Sequence, residues 1–172
     1  MGQEIERKYL VKQREWRSHK EKLQQQYPGI GQKYCQGYIP TSNQTTVRLR
    51  IIGEQGYLTI KSKTTGYTRS EFEYPIPVED AEQMLKTLCL QPLIEKIRYK
   101  INYRNLIWEV DEFSGENEGL IIAEVELENE KQQIDIPQWI DKEVNHPKYF
   151  NSNLIKYPYS QWKQQNTRSM KL

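Results

Sequence analysis

Two carboxylates and an ammonium group share one face of the first predicted strand. The chain begins with a Glu-x-Glu-x-Lys run in which Glu4, Glu6 and Lys8 are spaced two residues apart. Side chains of a strand alternate between its faces, so these three point one way while Ile5 and Tyr9 point the other. Unless neighbouring carboxylates face solvent, their repulsion requires a positive partner, most simply a divalent cation such as Mg²⁺ or Mn²⁺. The opening motif therefore predicts a metal site.

Charged residues spaced two apart recur in six later strand-like segments, and the residues between them are largely apolar. In chain order the series is Arg48 and Arg50; Lys61 and Lys63; Arg69, Glu71 and Glu73; Lys96, Arg98 and Lys100; Glu109 and Asp111; and Glu124, Glu126 and Glu128. The solvent face of an ordinary antiparallel sheet explains any single pair. A solvated face mixes signs, however, whereas same-sign doublets repeat here from strand to strand. The repetition favours a charged interior whose repulsion is offset by something bound.

An interior of this composition suits a polyanion together with a metal ion. Arginine and lysine neutralise phosphate oxygens, and carboxylates bind Mg²⁺ or Mn²⁺ ions that also bridge to phosphates. Hydrolysis then needs a positioned water and cationic groups that stabilise charge on the transferring phosphoryl group. The pattern predicts phosphate chemistry without a serine or cysteine nucleophile.

Eight strands and three helices must position these charges. The predicted strands cover residues 2–11, 34–40, 45–52, 56–63, 67–75, 93–102, 105–113 and 118–128. The predicted helices cover Gln13 to Gln26, Val78 to Leu90 and the carboxy-terminal region from Asp141 to Gln165. Short connections favour antiparallel pairing, and the number and spacing of the strands indicate a barrel. We therefore predict an α+β fold, an eight-stranded antiparallel closed barrel with helices packed outside and a helix at the carboxy terminus.

Composition limits the class of protein. The 172 residues have room for one domain, predicted over residues 1–165 with a flexible tail over 166–172, and the net charge of only +2 argues against nucleic-acid or membrane partners. Cys35 and Cys89 lack neighbouring histidines, which fits a reducing compartment better than a disulfide or zinc site. No apolar stretch approaches the ~18 residues of a membrane span, and the amino terminus lacks a signal-peptide layout. We expect a cytoplasmic protein, and the sequence does not distinguish a monomer from a homodimer.

Nine short motifs follow one another along almost the whole chain. They are EIERKYLV (4–11), QGYIPT (36–41), VRLRI (47–51), LTIKSK (58–63), TRSEFEY (68–74), EKIRY (95–99), WEVDEF (108–113), AEVELE (123–128) and DKEVNHPKYFNSNL (141–154). Together they resemble the CYTH superfamily, or triphosphate tunnel metalloenzymes, and specifically its short bacterial members of the inorganic triphosphatase type. The resemblance implies an eight-stranded antiparallel tunnel that binds a triphosphate and a divalent metal.

The resemblance also implies a role for individual charged residues. The metal-binding side comprises Glu4, Glu6, Asp111, Glu124 and Glu126, while Glu71 and Glu73 bind a second metal or balance a basic neighbour. The phosphate-binding side comprises Lys8, Arg48, Arg50, Lys61, Lys96 and Arg98, with Lys148 as a further basic residue that helps close the tunnel. Lys63 and Arg69 either join this side or lie at a solvated hairpin end. Lys61 and Tyr38 are the catalytic candidates, because a tyrosine beside a lysine can assist water activation; a purely structural role for Tyr38 stays open.

These observations predict Mg²⁺- or Mn²⁺-dependent hydrolysis of inorganic triphosphate (tripolyphosphate) to pyrophosphate and phosphate. One alternative is a hydrolase or cyclase acting on an organic triphosphate such as ATP or thiamine triphosphate, with a tryptophan as an aromatic platform. A second is a non-catalytic module that binds polyphosphate or a nucleotide. A lipocalin-like barrel for apolar ligands predicts an apolar interior, and the charged faces argue against it.

Overall fold

Nine strands form one antiparallel sheet in the computed structural model, which describes residues 2–162. They are β1 (Gly2–Val11), β2 (Gln32–Ile39), β3 (Thr46–Ile52), β4 (Gln55–Lys61), β5 (Thr68–Ile76), β6 (Ile94–Tyr103), β7 (Leu106–Phe113), β8 (Ile121–Glu126) and β9 (Ile140–Val144). The order in the sheet is β5-β4-β3-β2-β6-β7-β8-β1, and β1 also pairs with β5. The first eight strands therefore close into a barrel, which confirms the predicted fold.

β1 is the strand at which the barrel closes. One of its edges pairs with β8 over residues 6–10. Its other edge is shared, because residues 2–5 pair with β5 and residues 8–11 pair with β9. The strand that carries the opening motif is thus held by three partners that come from distant parts of the sequence.

Two helices pack against the outside of the barrel. The helix α1 (Gln13–Gln26) follows β1 directly, and α2 (Val78–Thr87) begins with the acidic pair Glu79 and Asp80, which complements the positive end of the helix dipole. The α2 helix crosses closely over β4, where a Cβ atom added to Gly56 would lie 2.8 Å from the Cβ atom of Ala81. Glycine at this position therefore allows the close approach of helix and strand.

The predicted carboxy-terminal helix from Asp141 is wrong over its first half. Residues 140–144 form β9, because the edge of β1 beyond β5 is free to accept another strand. A 3₁₀ helix (Pro147–Tyr149) and a short helix α3 (Asn151–Leu154) follow, and residues 159–162 are again helical. The last predicted helical residues, 163–165, and the predicted tail at 166–172 lie outside the described residues.

Strand alternation places the main apolar core outside the barrel. Trp16 of α1 is 1% exposed and packs against Tyr99 of β6 and Trp139, with ring centroids 5.6 Å and 5.2 Å away. The outward residues of β1, β7 and β8 complete this cluster, and a second one joins α2 to β3 through Leu85 and Leu49. Because the outward positions build the core, the inward positions are free to be charged.

Apolar side chains close one end of the barrel. Ile94, Phe113 and Ile122 continue the inward-facing positions of β6, β7 and β8, and they pack with Leu154 and Ile155 of the carboxy-terminal segment. Lys100 and Glu126, which belong to the same inward series nearer the other end, are exposed to solvent. The interior is therefore covered at one end and reaches solvent at the other. Within residues 2–162, no helix has the length and apolar character needed to cross a membrane.

Candidate active site

A charged cavity of about 340 Å³ fills the barrel interior. Inward-facing side chains of all eight barrel strands line it, together with residues 150–152 of the carboxy-terminal segment. The sequence-predicted site residues that reach it are Glu4, Glu6, Lys8, Tyr38, Arg48, Arg50, Lys61, Glu71, Glu73, Lys96, Arg98, Glu124 and Glu126. Strand parity, the alternation of side chains between the two faces of a strand, therefore brings thirteen of the fifteen candidates into one cavity. Of the fifteen, only Asp111 and Lys148 lie elsewhere.

The two charge signs are segregated across the cavity. The adjacent strands β3, β2 and β6 form what we call the cationic wall, whose charged lining residues are Arg48, Arg50, Lys96, Arg98 and Lys100. The strands β7, β8, β1 and β5 form the acidic wall, which carries Glu109, Glu124, Glu126, Glu4, Glu6, Glu71 and Glu73. Among the described residues of the cationic wall, no carboxylate faces the cavity. The cavity thus offers separate surfaces to an anion and to a cation.

Three basic side chains neutralise part of the acidic wall. Lys8 Nζ lies 2.5 Å from a Glu6 carboxylate oxygen and 2.9 Å from one of Glu124. Lys61 Nζ lies 3.0 Å from both oxygens of Glu4, and Arg69 Nε donates to Glu4 Oε2 at 2.8 Å. The sequence did not decide whether Lys63 and Arg69 face the interior or a solvated hairpin end. Arg69 lines the cavity, whereas Lys63 does not.

Glu4 supplies a test of these ion pairs through pH-dependent stability. Burial alone would raise its pKa, but Lys61 and Arg69 lower it from 4.5 to about 2. A lowered carboxylate pKa stabilises the fold above the unfolded value, and this stabilisation is lost as pH falls through the folded value. Without divalent metal, we expect the free energy of unfolding to fall between pH 4.5 and about 2, and Glu4→Gln to remove part of that fall.

Urea unfolding measured at a series of pH values checks this expectation. Glu54→Gln in the exposed β3–β4 turn is the control and should keep the wild-type acid profile, because Glu54 forms no ion pair within residues 2–162. An unchanged profile in Glu4→Gln would show that the pairs with Lys61 and Arg69 do not form in solution.

Other carboxylates of the acidic wall are poorly compensated. Burial and the neighbouring Glu124 raise the pKa of Glu6, and burial followed by the charges of Glu4, Glu71 and further glutamates raises that of Glu126. By contrast, Lys8 and Arg98 outweigh burial and lower the pKa of Glu124. Within residues 2–162, Glu126 has no hydrogen-bond or ion-pair partner. The wall therefore carries a local excess of negative charge.

The donor set of the acidic wall fits a hard divalent cation. Its side-chain ligands are carboxylate oxygens, which Mg²⁺ and Mn²⁺ prefer. Within residues 2–162, no three acidic, histidine or cysteine side chains are grouped as a ready-made metal centre. Glu6 and Glu126 are the carboxylates whose repulsion by neighbouring glutamates a bound cation would relieve.

Asp111 lies behind the cationic wall rather than on the cavity. Its side chain is completely buried and accepts three hydrogen bonds, from Lys96 Nζ at 2.7 Å and from Arg98 Nε and Nη2 at 2.7 Å and 2.8 Å. Arg98 and Lys96 outweigh the effect of burial and lower the pKa of Asp111. Both oxygens are therefore engaged by cations, and the structure does not bring Asp111 to the expected metal-binding side.

Arg48 and Arg50 differ in how far their positive charge is compensated, since Arg48 Nη2 lies 3.3 Å from Glu73 Oε2. Arg50 is 8% exposed and, within residues 2–162, forms no ion pair; its Nε donates to the neutral Gln36 Oε1 at 2.9 Å. Burial and the neighbouring Arg48 and Arg98 lower the pKa of Arg50 to about 10. The buried Nε of Arg48 has no hydrogen-bond partner among the described residues. An anion in the cavity would satisfy both groups.

Tyr38 lines the cavity, but its observed partner is not Lys61. The hydroxyl oxygen accepts a hydrogen bond from Gln36 Nε2 at 2.7 Å. Burial and Arg48 lower the pKa of Lys61, although Glu4 opposes them. Both catalytic candidates line the cavity, Tyr38 from β2 and Lys61 from β4, and β3 lies between these two strands.

Lys148 is directed away from the cavity. Its Nζ lies 4.4 Å from the centroid of the Trp162 ring and 5.2 Å from that of Tyr149, in cation–π geometry. The carboxy-terminal segment instead presents Phe150, whose ring lies 5.3 Å from Lys8 Nζ. None of the four tryptophans lines the cavity, and all four are buried.

Sequence reasoning missed Gln36, Phe150 and Asn151. Gln36 shares the parity of Tyr38 on β2, so alternation could have found it. Asn151 Oδ1 accepts hydrogen bonds from Lys96 Nζ at 2.8 Å and from Gln36 Nε2 at 3.2 Å. No local pattern predicts Phe150 or Asn151, because they enter the site through tertiary packing of a segment without strand alternation.

The sequence model of the CYTH domain matches residues 2–153. The chain belongs to the CYTH domain family. An inorganic triphosphatase from Acetivibrio thermocellus is 46% identical over 165 residues, which cover 95% of this chain and 100% of that protein.

Solved structures with a similar fold include two further proteins. The crystal structure of the inorganic triphosphatase NE1496 is similar with a TM-score of 0.59 at 28% identity, covering 90% of this chain and 95% of that one. A putative adenylate cyclase from Bacillus halodurans has a TM-score of 0.58 at 17% identity, covering 76% and 84% of the two chains, and it supports the fold alone.

Proposed function

We propose that this CYTH protein hydrolyses inorganic triphosphate to pyrophosphate and phosphate, in a reaction that depends on Mg²⁺ or Mn²⁺. The observation that carries the proposal is the segregation of a cationic and an acidic wall in one cavity of the barrel interior. The resemblance to two proteins named inorganic triphosphatases supports the choice of substrate.

The cationic wall would bind the phosphate chain. Arg48, Arg50, Lys96 and Arg98 present hydrogen-bond donors fixed by burial, so they stabilise negative charge without reorganising during the reaction. Lys8, on the acidic wall, and Lys61, on β4, would also contact the phosphate chain. We assign Asp111 to holding Lys96 and Arg98 in place, in contrast to the metal-binding role that the sequence suggests.

The acidic wall would hold the metal. We assign this role to Glu4, Glu6, Glu124 and Glu126, with Glu71 and Glu73 for a second ion or for charge balance. When bound, the divalent cation supplies positive charge to phosphate oxygens that carboxylates alone would repel. Its binding also relieves the repulsion that raises the pKa of Glu6 and Glu126.

Hydrolysis adds water across one phosphoanhydride bond. The water oxygen forms a bond to a terminal phosphorus while the bridging oxygen–phosphorus bond breaks, and the bridging oxygen leaves on pyrophosphate. The cationic wall stabilises the charge that develops on the phosphoryl oxygens. Lys61 and Tyr38 are the proposed residues for orienting the water and exchanging its proton.

Phosphate release from a panel of substrates tests this function. The purified full chain is incubated with tripolyphosphate, ATP or thiamine triphosphate in Mg²⁺, Mn²⁺ or EDTA. We expect rapid release from tripolyphosphate with metal and none with EDTA. If the protein binds tripolyphosphate but releases phosphate from no substrate, the enzyme hypothesis fails and the protein is a non-catalytic binding module.

Glu126→Gln tests the acidic wall separately. It should lower kcat/KM at limiting metal at least about tenfold, with partial recovery at high metal, because a metal ligand is lost. Glu128→Gln is the matched control, since Glu128 is an exposed residue two positions further along that does not line the cavity. Equal metal titrations for wild type and Glu126→Gln would rule out this metal assignment.

A side cavity favours organic triphosphates as a second candidate substrate class. It has a volume of about 360 Å³ and shares Glu6, Lys8, Arg69 and Phe150 with the central cavity, and Tyr67 lines its outer part. An aromatic surface beside a phosphate site can hold an organic group. If ATP or thiamine triphosphate proves to be the better substrate, Tyr67→Ala should raise KM for it and leave KM for tripolyphosphate unchanged.

A further inference from the structure

Two neutral amides connect the cationic wall to the carboxy-terminal segment. Gln36 on β2 is completely buried, and Asn151 is the first residue of α3. Their side chains meet across 115 residues of sequence, with Gln36 Nε2 donating to Asn151 Oδ1 at 3.2 Å. Each amide also contacts residues that line the cavity.

The donors and acceptors around the pair fix the orientation of both amides. The Arg50 Nε group can only donate, so the Gln36 atom that faces it at 2.9 Å is the carbonyl oxygen. The Gln36 nitrogen then faces the Tyr38 hydroxyl oxygen and Asn151. Lys96 Nζ also can only donate, which makes its Asn151 partner the oxygen. All four contacts agree with one arrangement.

The neutrality of the pair distinguishes it from Asp111. The Asp111 carboxylate offsets the charges of Lys96 and Arg98. Gln36 offers Arg50 an acceptor without a negative charge, and Asn151 does the same for Lys96. Gln36 therefore orients Arg50 while leaving its positive charge available to an anion in the cavity, and Asn151 holds Lys96 without adding a second negative charge beside Asp111.

We propose that Gln36 and Asn151 are positioning residues of the cationic wall. Gln36 orients Arg50 and Tyr38, Asn151 orients Lys96, and the hydrogen bond between them makes the carboxy-terminal segment part of the phosphate site. Because the Tyr38 oxygen accepts from Gln36, its hydrogen is left to donate into the cavity. This inference rests on the proposed function, since the positioned groups act on phosphate.

Substitutions that add a charge without changing side-chain size test the proposal. Gln36→Glu keeps an acceptor for Arg50 but neutralises it, and Asn151→Asp places a second carboxylate, in addition to Asp111, beside Lys96. Each should raise KM for tripolyphosphate about 10- to 100-fold, because the added negative charge weakens the charged hydrogen bonds from the cationic wall to phosphate, while the thermal midpoint stays near the wild-type value. A purely structural role predicts the opposite, because a new ion pair would preserve both packing and activity.

Asn153→Asp is the matched control. It places the same charge two residues along α3, where the Asn153 side chain donates to the Pro147 carbonyl and does not line the central cavity. Its KM should stay within about twofold of wild type. An equal rise in KM would mean that any carboxylate near this end repels the substrate, and the proposal would fail.

Uncharged variants test the coupling between the two amides. Gln36→Met, Asn151→Ala and their combination form a double-mutant cycle, and the combined loss in kcat/KM should be smaller than the product of the single losses. Strictly multiplicative losses, or wild-type KM in the charged variants, would overturn the positioning role. If wild type itself releases no phosphate from tripolyphosphate, the proposed function fails; an active wild type with unaffected variants refutes this inference alone.

Discussion

Asp111→Ala is expected to lower the free energy of unfolding by about 3–5 kcal/mol, which is a large part of the stability of a domain of this size. The substitution removes a completely buried carboxylate that accepts three hydrogen bonds. Lys96 and Arg98 would remain buried without their counter-charge, and such unpaired charge is the costly outcome. Urea unfolding followed by fluorescence of the buried tryptophans measures the change.

A surface ion pair provides the control for this stability prediction. Asp135 lies 3.4 Å from Arg104, and both side chains are more than 60% exposed. Asp135→Ala should change the free energy of unfolding by less than about 1 kcal/mol, because solvent screens exposed pairs. The loss in free energy of unfolding for Asp111→Asn should lie between those of Asp111→Ala and Asp135→Ala, since the amide keeps the shape of the side chain and loses its charge. A wild-type urea midpoint for Asp111→Ala would contradict the role assigned to this residue.

Arg50→Ala is expected to lower kcat/KM for tripolyphosphate about 100- to 1,000-fold, the effect of removing one preorganised donor from a buried site. Arg50 is buried and, within residues 2–162, forms no ion pair, so its charge is available to the substrate. Arg50→Lys should recover only part of the loss because an ammonium lacks the planar fork of donors. Steady-state kinetics at saturating metal checks both variants.

The loss of activity in Arg50→Ala should not be accompanied by a comparable loss of thermal stability. Burial, Arg48 and Arg98 lower the pKa of Arg50 to about 10, so the folded state holds this charge unfavourably. Arg50→Ala should therefore keep a thermal midpoint near that of wild type, because relief of charge repulsion offsets the lost hydrogen bond to Gln36 and the lost packing on Tyr34. Arg104→Ala, at the exposed surface pair, should keep wild-type kinetics. Retained kcat/KM in Arg50→Ala would show that the cationic wall is not the phosphate-binding side.

Strand parity explains why so much of the site could be predicted from the sequence. A period of two decides which face a side chain joins, and barrel closure then sends every inward position to one interior. Glu4, Arg48 and Glu124 come from distant strands, yet parity alone places them in one cavity.

Parity does not determine how far along the barrel a residue lies or what it contacts there. Glu109 and Asp111 share one face of β7, but Glu109 lines the cavity and Asp111 lies beneath Lys96 and Arg98. Register and strand stagger decide that difference, and neither can be read from one strand. The positions of Lys148 and Asn151 could not be predicted for another reason. Tertiary packing of the carboxy-terminal segment directs Lys148 to Trp162 and Asn151 to Lys96.

The pairing of β1 determines when the cavity can form during folding. Residues 2–11 carry the opening motif, yet two of the three partners of β1 lie much later in the sequence, at residues 121–126 and 140–144. Contacts between segments so far apart in sequence form late and slow folding. During synthesis, Glu4 and Glu6 are therefore made long before Glu124 and Glu126, which line the same wall. The acidic wall is complete only when the barrel closes, because a nascent chain that ends before β8 lacks Glu124 and Glu126.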